Sequence, residues 1–138
     1  MFAVKPLQDK NVQKELCALL KTEYKSDSLA YFAADLNEDG TAIIGIIGIL
    51  QFKMSEDVGE ILTLAPAKSK ENDEAMIIME RAAMSFMHRS GMKKMIMKKT
   101  AGPEAVLKKS GLPQKDDTYY VDLDVFFDSP CHFNKDTQ

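Results

Sequence analysis

The chain has no tryptophan, two cysteines, no long apolar run and no excess of positive charge among its 138 residues. Each shortage removes a class of protein. Cys17 and Cys131 stand far apart in unlike surroundings, so they form no disulfide framework, and free thiols in a reducing compartment are expected. The longest apolar run, Ala42 to Leu50, falls well short of the ~20 residues a membrane helix needs, so no membrane partner is expected. The 18 basic and 21 acidic residues give a net charge of -3, spread along the chain, which leaves no footprint for nucleic acid. The stretch MFAVKPLQDK carries no basic region followed by an apolar core, and a cytoplasmic location is the expectation.

What is present reads as one domain large enough to bury its own core. Phe2 to Val4 is apolar and then meets Lys5 and Pro6, which predicts a short strand that the proline ends. Asp9 or Asn11 is placed to cap a helix with the apolar stripe Val12, Leu16, Leu19 and Leu20, leaving Gln13, Lys14, Glu15 and Lys21 outside it. That helix is expected to cover one face of a sheet. Tyr24 to Ser28 is polar and reads as a loop, a usual location for substrate contacts. Leu29 to Leu36 and Thr41 to Met54 flank Asn37-Glu38-Asp39-Gly40, a hairpin signal in which Asp-Gly supplies positive φ. Gly45 and Gly48 in the second arm suit a bulge or a close backbone approach. They are no dinucleotide fingerprint, because they lie inside a strand pattern and open no helix.

Val58 to Leu64 follows the turn Ser55 to Asp57 and completes an antiparallel meander. Beyond Pro66 and a lysine-rich loop, Ala75, Ile78, Met79, Ala82, Ala83, Phe86 and Met87 recur at helical spacing, with Glu80, Arg81, His88 and Arg89 between them. Gly91 suits the end of this long helix. The nine methionines are expected mainly in the core. Met92 to Lys98 then reads as a strand joined by a parallel crossover. A short helix opens at Gly102 and Pro103 and closes at Ser110 and Gly111. After the polar turn Pro113 to Asp117, Thr118 to Phe127 alternates as a final strand, with Tyr119, Val121, Leu123 and Val125 on one side and Tyr120, Asp122 and Asp124 on the other. The expected architecture is an α/β (α+β) domain over residues 1–127, with a mixed sheet of about six strands, helices on both faces, and a tail over 128–138.

This order of elements resembles the GNAT superfamily of acetyl-CoA-dependent N-acetyltransferases. Ile43-Ile44-Gly45 is similar to that family's start of its third strand, Ile61 to Pro66 to its fourth strand and following proline, and Ala105 to Leu112 to its late helix. The resemblance implies transfer of an acetyl group from acetyl-CoA to a primary amine of a small-molecule substrate. It implies a fourth strand that splays from the fifth and pairs backbone groups at Leu62, Leu64 and Ala65 with the pantetheine arm. The pyrophosphate would then lie at Lys68, Ser69, Lys70, Asn72 and Glu74, where helix N-terminal amides attract anions. It also implies a carboxylate base near the amine, for which Glu60 is the candidate, and a tyrosine acid on the late helix. That tyrosine position holds Leu107, which has no proton to give, so Tyr119 and Tyr120 of the last strand become the candidates.

The family's phosphate loop is Arg or Gln, two positions, Gly, one position, then Gly or Ala. The matching window, Ala67 to Ala75 (AKSKENDEA), contains no glycine: Asn72 and Glu74 stand at two glycine positions. Glu71, Asp73 and Glu74 place three carboxylates in the first turn, which stabilise a bare helix start and repel a pyrophosphate. The alternative function is therefore a catalytically degenerate GNAT scaffold that binds another ligand or a protein. A third reading is a structural homodimer joined along the last strand. Each site residue also has a plainer role: Glu60 as a solvent-facing strand residue, the tyrosines as packing. Cys131 and His132 with Asp128 or Asp136 lack a closed zinc ligand set, and no metal is expected. Cys17 with His88 reads as core, and Asp122 with Asp124 as an exposed polar face.

Overall fold

In the computed structural model, which describes residues 1–68 and 71–128, the predicted hairpin turns on Asn37. Its Oδ1 accepts from the main-chain N–H of Thr41 at 2.9 Å and of Ala42 at 3.1 Å, while Gly40 takes φ +74°. The turn joins β2 (Leu29–Leu36) to β3 (Ile43–Ser55), and β4 (Val58–Pro66) completes the meander. With β1 (Phe2–Leu7), β5 (Lys94–Lys98), β6 (Gln114–Lys115) and β7 (Thr118–Asp122) they form a seven-stranded sheet, ordered β1-β2-β3-β4-β5-β7-β6. Every pairing is antiparallel except β4 with β5, the crossover made by α2 (Asp73–Arg89). The other helices are α1 (Lys10–Leu19), α3 (Glu104–Ser110) and α4 (Leu123–Asp128), with a 3-10 turn at Lys99–Ala101. No helix among the described residues is long and apolar enough to cross a membrane.

The main core lies between α2 and the sheet. Met76, Met79, Met84 and Met87 of α2 are fully buried, together with Met95 and Met97 of β5. Unbranched methionine fills an uneven surface well, and each buried side chain of this size contributes ~1.5–3 kcal/mol. Two glycines make the contact close. A Cβ at Gly48 would stand 2.6 Å from Met76 Sδ and 2.8 Å from Ala65 O, and one at Gly59 would stand 2.4 Å from Met87 Sδ. α2 ends as expected: Gly91 takes φ +93°, and the amides of Gly91 and Met92 return to His88 O and Met87 O.

Several expectations are corrected. Pro6 does not end the first strand but lies within β1, opposite Tyr31, which an edge strand tolerates. On α1, capped by Asp9 as expected, Val12 and Leu19 are exposed, and Gln13 and Cys17 are the buried residues. The reason is that beneath α1 the sheet presents polar Gln51 and the loop before β2 presents Ser28, which suit an amide. Burial raises the pKa of the Cys17 thiol, in keeping with an inert core residue. Beyond β7 the chain does not continue as a strand: Asp122 Oδ1 accepts from Val125 N–H at 3.1 Å and starts α4. Asp124 then meets His88 Nε2 at 3.2 Å and Lys93 Nζ at 3.4 Å, so Asp122 and Asp124 make no shared strand face. The turn after α3 contains β6, which gives the sheet seven strands rather than six and covers part of β7. On its outer side the last strand is paired with β6 at Thr118 and Tyr119. Cys131, His132 and the tail beyond residue 128 lie outside the described residues.

Glu80 is the strongest departure. Instead of separating apolar positions at the surface, it is completely buried, and neither carboxylate oxygen has a hydrogen-bond partner. Arg81 Nε stands 3.7 Å away, while Arg81 Nη2 donates to Ser110 O and the guanidinium lies 5.1 Å from the Phe126 ring centre. Burial pushes the Glu80 carboxyl up from 4.5 to about 7, with the Arg81 charge opposing part of the rise. The folded protein thus retains a proton that the unfolded chain releases. That stabilisation is complete below the unfolded value and is lost as pH rises through the folded one. Unfolding free energy is expected to fall by up to roughly 3 kcal/mol across that window through this group. Glu80→Gln should flatten this slope and raise stability at alkaline pH, measured by urea denaturation across the pH range.

Candidate functional site

The sheet opens where β4 parts from β5. Their parallel pairing covers only Val58 to Ile61 against Lys94 to Met97, and β4 then runs on to Pro66. On its other side β4 carries a bulge: Gln51 faces Thr63 and Phe52 faces Ile61, which leaves Leu62 as the extra residue. After β5 ends, the 3-10 turn approaches β4 instead. A Cβ at Gly102 would lie 2.9 Å from Leu64 O and 3.0 Å from Leu64 Cβ, so only glycine allows this approach. Leu62, Leu64 and Ala65 therefore lie on the length of β4 beyond its pairing with β5, where β3 remains its partner on the other side, with Leu64 buried at the fork.

Alternation along the strands separates the candidate catalytic residues. Glu60, Ile96 and Tyr120 share one register row across β4, β5 and β7, and so point to the same face. Two strand spacings put Glu60 and Tyr120 about 10 Å apart at the backbone. Glu60 is partly buried, with Lys53 Nζ at 4.0 Å, and Lys94 Nζ lies 5.8 Å from the Tyr120 ring centre. Tyr119 points the other way, into the core that holds Leu107 and Met97. Tyr120, and not Tyr119, shares the Glu60 face. Cys17 lies on the buried face of α1 and His88 contacts α4 beside Phe127, so they do not meet.

Two open cavities flank the segment that joins α1 to β2. One, of about 380 Å³, is lined by the 23–28 loop with Lys53 and the bulged Leu62. The other, of about 360 Å³, has Leu19, Leu20 and Ile46 as its apolar lining and Lys21 and Lys68 as its cations. Lys68 thus stands beside a cavity just past the end of β4. Ser69 and Lys70 lie outside the described residues. At the start of α2, Asn72 Oδ1 accepts from Ala75 N–H at 3.0 Å, Glu74 sits in the first turn, and Asp73 pairs with Lys109 at 2.6 Å. Among the described residues, no His/Cys/Asp/Glu cluster is placed to hold a metal.

Sequence reasoning missed Gln51, Gln13, Glu80 and the bulge. The signals were present for three of them. Gln51 is the one polar residue in the run Ile43 to Phe52, Gln13 precedes buried Cys17 by four, and Glu80 lies four residues after Met76 and seven before Met87. The bulge depends on pairing, which a single strand does not record.

This architecture occurs in solved acetyltransferases. IAA acetyltransferase from Bacillus cereus ATCC 14579 matches with a TM-score of 0.53 at 17% identity, over 70% of this chain and 65% of that one. A putative GNAT-family acetyltransferase from Desulfovibrio desulfuricans matches with a TM-score of 0.62 at 8% identity, over 89% and 99%. A chain of the NatC complex bound to Gag peptide and CoA gives 0.62 at 15% identity, over 88% and 98%. No protein-family model matches the sequence, and no curated protein matches it significantly. The chain has the GNAT acetyltransferase fold. At these identities the likeness is one of architecture.

Replacing Gly102 by alanine should push the 3-10 turn off Leu64 and destabilise the fork. A loss of about 1–3 kcal/mol in chemical denaturation is expected, as for other overpacked sites.

Proposed function

We propose that the chain is an N-acetyltransferase that moves an acetyl group from acetyl-CoA to a primary amine. The observation that carries this reading is the fork: β4 runs on past its pairing with β5 in the middle of a sheet. A ligand with amides along an extended arm can pair with such a strand as another strand would. Leu62, Leu64 and Ala65 would receive the pantetheine arm, and Lys68, with Ser69 and Lys70, the phosphates. The amine would enter the cavity under the 23–28 loop, near Leu62. Glu60 is then one bulge away and can take the ammonium proton, directly or through water. With the thioester carbonyl attacked by the neutral amine, Tyr120 on the same face is the group that can return a proton to the departing thiolate.

A second reading, a GNAT scaffold without transfer activity, rests on the start of α2. Asn72 Oδ1 occupies the Ala75 N–H that an anion would use, and Asp73 and Glu74 add negative charge beside it. Leu107 is buried in the core and offers no proton.

Titration calorimetry with acetyl-CoA separates the two. The transferase reading expects binding at about millimolar or tighter, weakened about tenfold by Lys68→Glu and strengthened by Asn72→Gly, which uncovers the Ala75 amide. Glu60→Gln should lower kcat by about 100-fold while leaving acetyl-CoA affinity unchanged, read on putrescine, tyramine and an alanyl peptide. Absence of binding heat at saturating acetyl-CoA would favour the scaffold.

A further inference from the structure

Gln51 gathers three elements into one buried side chain. It sits on central β3, fully buried, directly across from Thr63 where the pairing slips past Leu62. Its Oε1 accepts from Lys25 N–H at 2.9 Å and from Gln13 Nε2 at 2.8 Å. Its Nε2 donates to Glu23 O at 2.8 Å and to Thr63 Oγ1 at 3.3 Å. A side-chain amide has two donor hydrogens and two acceptor lone pairs, and all four are used. The amide orientation is also fixed, because Lys25 N–H can only donate and Glu23 O can only accept. Gln13 Nε2 also donates to Ser28 Oγ at 2.9 Å, which in turn donates to Lys25 O at 2.7 Å, while Lys10 Nζ donates to Ser28 O.

An apolar residue at position 51 would continue the pattern of Ile47, Ile49 and Leu50 without any desolvation cost. The amide does what a leucine cannot: it holds the main chain of a polar loop flat on the sheet. That loop is one wall of the 380 Å³ cavity, and the bulged Leu62 is another part of the same lining.

We propose that Gln51 is a positioning residue that fixes the 23–28 loop against the bulge of β4 and thereby sets the acceptor side of the site. This rests on the reading above of that cavity as the place of the amine. Gln51 touches no reacting atom; it acts through Glu23, Lys25 and Thr63.

Amide hydrogen exchange tests the device without any substrate. In Gln51→Leu, exchange of Lys25 and its neighbours in 23–28 should speed up about tenfold, while β3 and β4 amides stay within about twofold of the parent. Should that variant not fold, Gln51→Glu decides. It keeps the acceptors for Lys25 and Gln13, loses the donors to Glu23 O and Thr63, and should speed loop exchange about threefold. Where one of the three amines is acetylated, the same substitution should raise its KM about tenfold and leave that for acetyl-CoA within about twofold. Unchanged loop exchange, or exchange that rises equally through β3 and β4, would overturn the positioning role. A KM change confined to acetyl-CoA would overturn its acceptor-side placement. If no amine reacts, acetyl transfer is the reading that fails, and the exchange result still decides what Gln51 does.

Discussion

The seating of α2 on two glycines is the contact on which the remaining geometry depends. Met76 lies against Gly48 and Met87 against Gly59, so near both ends of α2 a methionine side chain rests directly on sheet backbone. A helix held at two separated points can neither slide nor pivot, and close-packed interiors transmit displacement rather than absorb it. Met76 is within the first turn of α2, so this seat also fixes Asn72 and the start of the helix relative to Ala65, whose carbonyl approaches the same glycine. The distance between the end of β4 and the first turn of α2 is thus a property of the core.

At that junction two demands oppose each other. A helix start is stabilised by a capping side chain and by acids, each worth ~0.3–1 kcal/mol, and Asn72, Asp73 and Glu74 supply both. An anion at the same place requires bare amides and positive charge. Among the described residues, Lys21 and Lys68 stand to the side at the neighbouring cavity and Lys109 is already paired with Asp73. Any phosphate held here would rely on lysine charge more than on main-chain amides, with a correspondingly steep dependence on ionic strength.

The sequence makes the order of elements legible because each carries its own local signal: Asp39-Gly40 for the hairpin, Gly91 for the end of α2, methionines at helical spacing for the core. What stayed hidden are features that depend on what lies across the gap. Gln13 is polar by composition and buried because Gln51 awaits it. Glu80 looks like a surface residue until α3 and α4 cover it. Thr118 to Phe127 alternates like one strand, yet Asp122 caps a helix midway, since a capping aspartate and an alternating pattern are compatible with the same letters. Of the candidate site, β4 with Glu60 on it and its end at Pro66 could be read in advance. The bulge at Leu62 and the row joining Glu60 to Tyr120 required the pairing itself.

The proline in β1 has a consequence for solubility. One border of the sheet is β1, which has no main-chain donor at Pro6, and the other is β6, with only two residues. A strand lacking one donor and a strand of two residues are each a weaker template for a foreign strand than a long, uninterrupted row of main-chain donors and acceptors. The long central strands, rich in isoleucine, are the segments with the greatest tendency to form cross-β aggregates, and they are enclosed between blunted margins. Within the described residues, encounters between molecules are directed away from strand-by-strand growth and toward the broad faces of the sheet and its helices.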